Sequence, residues 1–398
     1  MGKVLVYQMW PIAYNSIEKM TKQLKYAKDL CADYVWLSPI YPSPKFDHGY
    51  DISDYMGVDV RFGTMQDFDT FVATAHGLGI KVLMDLVLNH TSTHHRWFRK
   101  HPDYYCWEKS IRKGWKNLFD GGLAWEPDPK MGACYLHLFH KEQADLNWFP
   151  RDRLNRSLVH EFRNIVQFWL KHQVDGFRLD VPQSINKDFS SDRLEFSDLL
   201  FGNKAIKVIN AIFSGFPKPK TYDGKRPFLI MECFDPTYGE IIGKYVRKTP
   251  VDFVMNMMLK SEIDQGLENF KEKLALSTKN PHFMLDLESH DAPRFTSRSR
   301  LPVARIAKIM FESGAKGICV YQGQELGLTN PSKARLPDDL LLKLDAETAM
   351  RHSAGVPLDQ LRPLSRANAR IPLPMEKYKV PHGTFKLFCD KAREWKKR

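Results

Sequence analysis

The run Ile80-Lys-Val-Leu-Met-Asp-Leu86 is apolar almost without interruption. A strand with only one face against a core alternates apolar and polar residues; a run like this one is covered on both faces, the mark of a parallel sheet. Shorter runs of the same kind lie before and after it, at Val4 to Met9, Tyr34 to Leu37, Gly176 to Asp180, Phe228 to Glu232, Phe253 to Met255, Phe283 to Leu287 and Ile318 to Gln322. Between them are segments with apolar residues at helical spacing, among them Ile17 to Leu30, Phe68 to Leu78, Leu158 to His172, Ala205 to Phe213, Val303 to Ser313 and Phe385 to Lys397. Eight buried strands, each followed by a helix, give the fold class: α/β, a closed (β/α)8 TIM barrel.

The alternation lapses between about residues 91 and 150, a stretch rich in His, Trp, Tyr, Gly and Pro with no clean period. It reads as a small domain inserted after strand 3, which leaves 1–90 and 151–398 as the barrel. The aromatics at Tyr104, Trp107, Trp115 and Trp125 read mainly as packing for that insert. A second irregular stretch, 329–381, reads as a long loop over the barrel top.

Composition sets outer limits. Of 398 residues, 43% are hydrophobic and 27% charged, an ordinary globular balance that excludes a disordered or fibrous chain. No apolar run approaches the ~18 residues of a membrane span, and no signal-like pattern precedes Tyr7, so no membrane association and a cytoplasmic location are expected. The six cysteines, at 31, 106, 134, 233, 319 and 389, form no Cys-x-x-Cys pair and read as reduced thiols. The net charge of +12 suggests an acidic partner or a phosphorylated substrate, but the basic residues are scattered. The one dense cluster, Arg393, Lys396, Lys397 and Arg398, reads as a solvated helix face, so no nucleic-acid partner is expected. His90, His94 and His95 lack a metal-binding helical pattern, and neither a phosphate-cradling loop nor a Gly-x-Ser-x-Gly elbow occurs; no metal or cofactor is expected.

In a parallel barrel, function gathers at the C-terminal ends of the strands. Asp85 and His90 stand at or just beyond the end of strand 3, Arg178 and Asp180 at the end of strand 4, Glu232 at strand 5, and His290 and Asp291 at strand 7. Any one of these acids reads most simply as a cap or an ion-pair partner; three on separate strand ends of one rim read as an active site. The chemistry they suit is glycoside hydrolysis, which needs an acid for the departing alkoxide and a negative group beneath an oxocarbenium-like sugar. Arg178, two residues from Asp180 and on the same face, should keep Asp180 ionised as a nucleophile. Met231, Cys233 and Phe234 around Glu232 should raise its pKa, as a general acid requires.

Together these segments resemble the α-amylase family of glycoside hydrolases (family 13), and most closely its oligo-1,6-glucosidase branch. DLVLNH (85–90), GFRLDV (176–181), MECF (231–234) and ESHDAPR (288–294) resemble the four family signatures in order. WLSPIYPSP (36–44), GYDISDY (49–55), YQGQELG (321–327) and SRANARIP (365–372) resemble further stretches of that branch. The resemblance implies Asp180 as nucleophile, Glu232 as acid/base and Asp291 as transition-state stabiliser. It implies His90, Arg178 and His290 around the −1 sugar, Tyr50 and Asp51 at its far side, and Arg294, Arg366 and Arg370 as further substrate contacts. The implied reaction is retaining, through a covalent glucosyl-enzyme, with the first two carboxyls ~5–5.5 Å apart. Val181 after the nucleophile goes with α-1,6 cleavage in this branch. Ser289, Ala144 and Ala367 depart from the family pattern; no calcium loop follows strand 1, and the usual C-terminal β-sandwich is lacking, which suggests an uncovered barrel edge or a homo-oligomer. The expected activity is hydrolysis of short α-glucosides. Open alternatives are a trehalose-6-phosphate hydrolase, a glucosyl transferase or isomerase, and a catalytically silent sugar-binding barrel.

Overall fold

Alternate residues of the buried strands serve two different cores. In the computed structural model, which describes residues 2–215, 218–371 and 382–398, eight parallel strands close into a barrel. They are β1 (Val4–Met9), β2 (Tyr34–Leu37), β3 (Lys81–Val87), β4 (Gly176–Asp180), β5 (Phe228–Cys233), β6 (Phe253–Asn256), β7 (Phe283–Asp286) and β8 (Gly317–Tyr321). Each pairs with its sequence neighbours, and β1 closes on β8 with Val4 opposite Gly317. One residue set, Val6, Trp36, Leu83, Ile230, Phe253, Met255, Met284 and Cys319, fills the barrel interior. The intervening set, including Leu5, Val35, Val82, Met84, Phe177, Leu179, Met231 and Val254, packs outward against the helices. Moving two residues toward the C-terminal end replaces the apolar plug by Gln8, Asp85, Arg178, Glu232 and Asp286, all buried. The period-two alternation of a strand thus lifts the polar side chains to one rim, above a dry plug.

The outer helices start where local chemistry allows. Thr64 and Asp67 form a reciprocal capping box for Met65–Gly77, and Asn155 caps Arg156–Lys171 through the Leu158 amide. The expected helix over 17–30 is two helices, Ile17–Lys22 and Leu24–Asp29, meeting at Gln23. The basic C-terminal helix, His382–Lys397, buries Phe388, Cys389, Ala392 and Trp395, while Arg393 pairs with Asp390 and Lys396 with Asp33.

Between β3 and β4 the chain forms a three-stranded antiparallel sheet (Trp107–Glu108, Ala133–Leu136, Trp125–Asp128) and a two-stranded one, His90–Ser92 with Gln143–Asp145. Trp115 and Trp125 are buried there, against Phe189 and Leu199 contributed by the segment after β4. The insert therefore shares its core with the barrel's own β4 connection. The stretch read as a barrel-top loop contains helices at Asp338–Leu344, Ala346–Ser353, Leu358–Leu361 and Ala367–Arg370, around a small core of Leu336, Leu341, Leu344, Ala367 and Ile371. The helices are short and interrupted by Pro337 and Pro357, so no long apolar period shows in the sequence; residues 372–381 of that stretch lie outside those described.

Candidate active site

Asp180, Glu232 and Asp291 open onto one cavity of about 670 Å³, together with Asp47, Tyr50, His90, Val181, Lys260, Glu347 and Arg366. Beneath it lies Arg178, 1% exposed, a single guanidinium shared by three carboxylates. Its Nη1 donates to Asp85 Oδ1 at 3.0 Å and to Asp180 Oδ1 at 2.5 Å, and its Nη2 donates to Glu232 Oε2 at 2.5 Å. The planar fork suits this bridging role, because its donors point in fixed, diverging directions. Asp85 also accepts hydrogen bonds from Trp36 Nε1 and the Tyr50 hydroxyl.

One positive charge among three buried acids cannot hold all of them ionised. Burial pushes Asp85 up to about 6 against the pull of Arg178. Burial likewise raises Glu232 and Asp180, again opposed by Arg178 and reinforced by neighbouring carboxylates. The upward direction at Glu232 agrees with the sequence reading. That at Asp180 corrects it: Arg178 is divided among three acids, so it does not hold Asp180 in the ordinary carboxylate range. A cluster of this kind titrates as a unit and retains protons above the pH at which separate acids release them.

Asp291 behaves oppositely. Burial would raise it, but His290, Arg370 and Arg366 outweigh burial and hold it well below the usual carboxylate range. His290 is itself lowered to about 4 by burial, so near neutral pH it acts as a hydrogen-bond donor and the arginines supply the charge. Its partners are consistent with one neutral tautomer, in which Nδ1 accepts from Gln8 Nε2 at 2.8 Å and Nε2 donates to Asp291 Oδ2 at 3.0 Å. The ring is clamped between Trp10 (centroids 4.8 Å apart) and Tyr50 (5.1 Å, planes within 4°).

Val181 occupies a left-handed backbone conformation, φ 32° and ψ 46°, uncommon for a β-branched residue. Its amide donates to Glu232 Oε2 at 3.3 Å, so the turn after Asp180 also touches the neighbouring acid.

The expected fold and this convergence of acids have a match among known proteins. The model of the alpha-amylase catalytic domain aligns with residues 16–379 of the chain. The chain belongs to the alpha-amylase family. Within it, the chain is 32% identical to trehalose-6-phosphate hydrolase of Bacillus subtilis, over 83% of this chain and 65% of that protein. It is 31% identical to oligo-1,6-glucosidase of Halalkalibacterium halodurans, over 96% of this chain and 75% of that protein. Its structure superposes on trehalose-6-phosphate hydrolase of Bacillus licheniformis with a TM-score of 0.82 at 28% identity, covering all of this chain and 83% of the other. The chain spans about two thirds to three quarters of the length of the curated relatives it matches.

Not every residue expected at the site of this alpha-amylase family chain reaches the cavity. Asp51 is fully buried away from it, accepting hydrogen bonds from Ser43 Oγ and from the amides of Phe46, Asp47 and Gly49. It ties the loop, and the acid on the cavity wall is Asp47, which the sequence reading missed. Asp47 faces Arg366 at 3.6 Å and Arg370 at 3.5 Å and accepts from Gln143 Nε2, which also contacts His90. Two acids four residues apart, across a glycine at φ +111°, look alike in sequence; only the loop's path separates them. Arg294 also lies off the cavity, donating to Glu288 and to the Gln322 carbonyl. Arg370 sits behind the cavity wall, donating to the His290 carbonyl and to Asp291. Lys260, unmarked in sequence, lines the cavity and donates to Asp286 and Ser289 Oγ. Ala367 leaves Arg366 without an acid next to it in the chain, and Asp345 serves instead, accepting from Arg366 N at 2.9 Å and Nε at 3.0 Å.

Proposed function

We propose that the chain is a retaining α-glucosidase that releases glucose from the non-reducing end of short α-glucosides. The carrying observation is that Asp180 and Glu232 open onto one cavity and are tied by the two arms of Arg178. With the proton that the cluster retains placed on Glu232, the ionised Asp180 attacks the anomeric carbon while Glu232 gives that proton to the departing oxygen. Water then attacks the glucosyl-enzyme with Glu232 as base, and Asp291, kept ionised by Arg366 and Arg370, steadies the positive ring in both steps. The neutral His290 donor fixes Asp291 and Tyr50 packs on it. Asp47, His90 and Arg366 form a polar end suited to the hydroxyls of a terminal sugar. Val181 places methyls rather than a hydroxyl on the cavity wall, which supports α-1,6 linkages. The oligo-1,6-glucosidase relatives support the same linkage. A cytoplasmic setting is supported by six free cysteines, five of them buried, and by the lack, among the described residues, of any helix long and apolar enough to cross a membrane.

The test is glucose release from isomaltose, maltose, sucrose and trehalose 6-phosphate, with mass spectrometry after a slow 2-fluoro-glucosyl donor. Release from at least one substrate with a label on Asp180 is expected. No release and no label would leave a silent sugar-binding barrel as the better account.

A further inference from the structure

Phe234, Phe196, Leu199, Leu200, Met257 and Ala292 are among the apolar residues that line the cavity, and Phe234 lies two residues from Glu232, the acid that must face a leaving group. Leu199 is committed to the insert's core, but Phe196 is 42% exposed and meets Phe234 edge-on at 5.5 Å, so aromatic surface at the mouth is left for an occupant to cover. The charges point the same way. Five carboxylates line the cavity, those of Asp47, Asp180, Glu232, Asp291 and Glu347. Among the described residues only two side chains of fixed positive charge line it, and each is ion-paired with acids, although Arg366 Nη2 has no hydrogen-bond partner. Lys260 is held by Asp286 at 2.8 Å. Arg366 lies within 3.0–3.7 Å of Asp47, Asp291, Asp345 and Glu347. Phosphate recognition uses uncommitted arginine forks or lysines, and here a phosphoryl group would meet acids at distances where salt screens little. The +12 charge of the whole chain has no counterpart at the site.

We infer that the leaving-group side selects uncharged aglycones with an apolar face and turns away phosphorylated sugars, in contrast to the activity named for the trehalose-6-phosphate hydrolases among its relatives. The inference rests on the α-glucosidase reading above. It is tested with the full chain by comparing kcat/KM for p-nitrophenyl α-glucoside, isomaltose and trehalose 6-phosphate at physiological ionic strength. The phosphorylated sugar should fall at least about a hundredfold below the best uncharged substrate. Equal or better turnover of trehalose 6-phosphate overturns the inference and leaves the glucosidase reading standing. If nothing is turned over, that reading fails, and calorimetric binding decides this one: tighter binding of trehalose 6-phosphate than of phenyl α-glucoside overturns it, and the reverse order supports it. In Phe196→Ala, the ratio of kcat/KM for p-nitrophenyl α-glucoside to that for α-glucosyl fluoride, whose leaving group is a single atom, should drop about tenfold. An unchanged ratio refutes the aromatic contact, because a purely structural defect would lower both rates together.

Discussion

Gly176 opens β4 directly beside Phe228, which opens β5, and Asp180 and Glu232 each lie four residues further along. A Cβ at position 176 would stand 1.9 Å from the Phe228 carbonyl oxygen, where contacts below 3.0 Å essentially never occur. Gly176→Ala must therefore part the two strands by about 1 Å at their base. Phe228 cannot yield toward the plug, since its ring stacks on Tyr34 at 4.4 Å and lies 6.0 Å from Phe253. Overpacking of this kind costs about 1–3 kcal/mol. If half of the displacement survives the ~13 Å climb to the rim, Asp180 and Glu232 shift by about 0.5 Å relative to each other, the limit of productive geometry. A 1 Å error costs about a hundredfold, so we expect kcat on p-nitrophenyl α-glucoside to fall between about 10- and 100-fold. Urea denaturation reads the stability change and initial rates read the catalytic one. Gly77→Ala, with nothing within 4 Å of the added carbon, is the control and should be neutral or stabilising. A Gly176→Ala protein with an unchanged denaturation midpoint and unchanged kcat would refute the reasoning.

Three more outcomes follow from the ion pairs and buried histidines. Lys260→Met strands Asp286 without its cation and should cost about 3–5 kcal/mol in urea denaturation, with at least half recovered in Lys260→Met/Asp286→Leu; a double variant no better than the single one would deny the pairing. Asp345→Asn removes the charge that orients Arg366 and should raise KM several-fold while kcat changes less, so an equal fall in kcat at constant KM would place Arg366 elsewhere in the reaction. His290, lowered from 6.5 to about 4, gives stability that is present above pH 6.5 and lost as pH falls toward 4. Asp85, raised from 3.8 to about 6, gives stability that is present below pH 3.8 and lost as pH rises toward 6. Between pH 7 and pH 4, His290→Gln should therefore lessen the acid loss of Tm and Asp85→Asn should deepen it; shifts of the same sign in both would contradict these assignments.

The eight strands were legible because both faces of each are covered, which leaves short apolar runs whose ends fall within a residue or so of those observed. The strand-end acids were legible for the same reason, since a charge at the close of an apolar run has few structural uses. Residues placed by loops were not. Asp47 and Asp51 differ only in which way the chain turns around Gly49, and Lys260 comes from a short helical turn after β6 whose partner, Asp286, is 26 residues away. Arg178 was read as the companion of one acid because sequence shows the neighbour two residues off and hides Asp85 and Glu232 across the barrel. The helices over 338–370 were hidden by their brevity, since two turns of helix give too few apolar positions for a period to register.

The left-handed backbone at Val181 has a cost to the fold of about 1–3 kcal/mol. A laboratory selection for heat resistance alone would find that tension early and relax it with glycine or asparagine, residues at ease with such a twist. The peptide that offers its N–H to Glu232 would be kept by either residue, since the hydrogen bond belongs to the backbone and the twist is unchanged. What such a change gives up is the side chain alone, the methyls that Val181 presents to the cavity, so added durability there comes at the expense of the fit of the substrate and not of the grip on the acid.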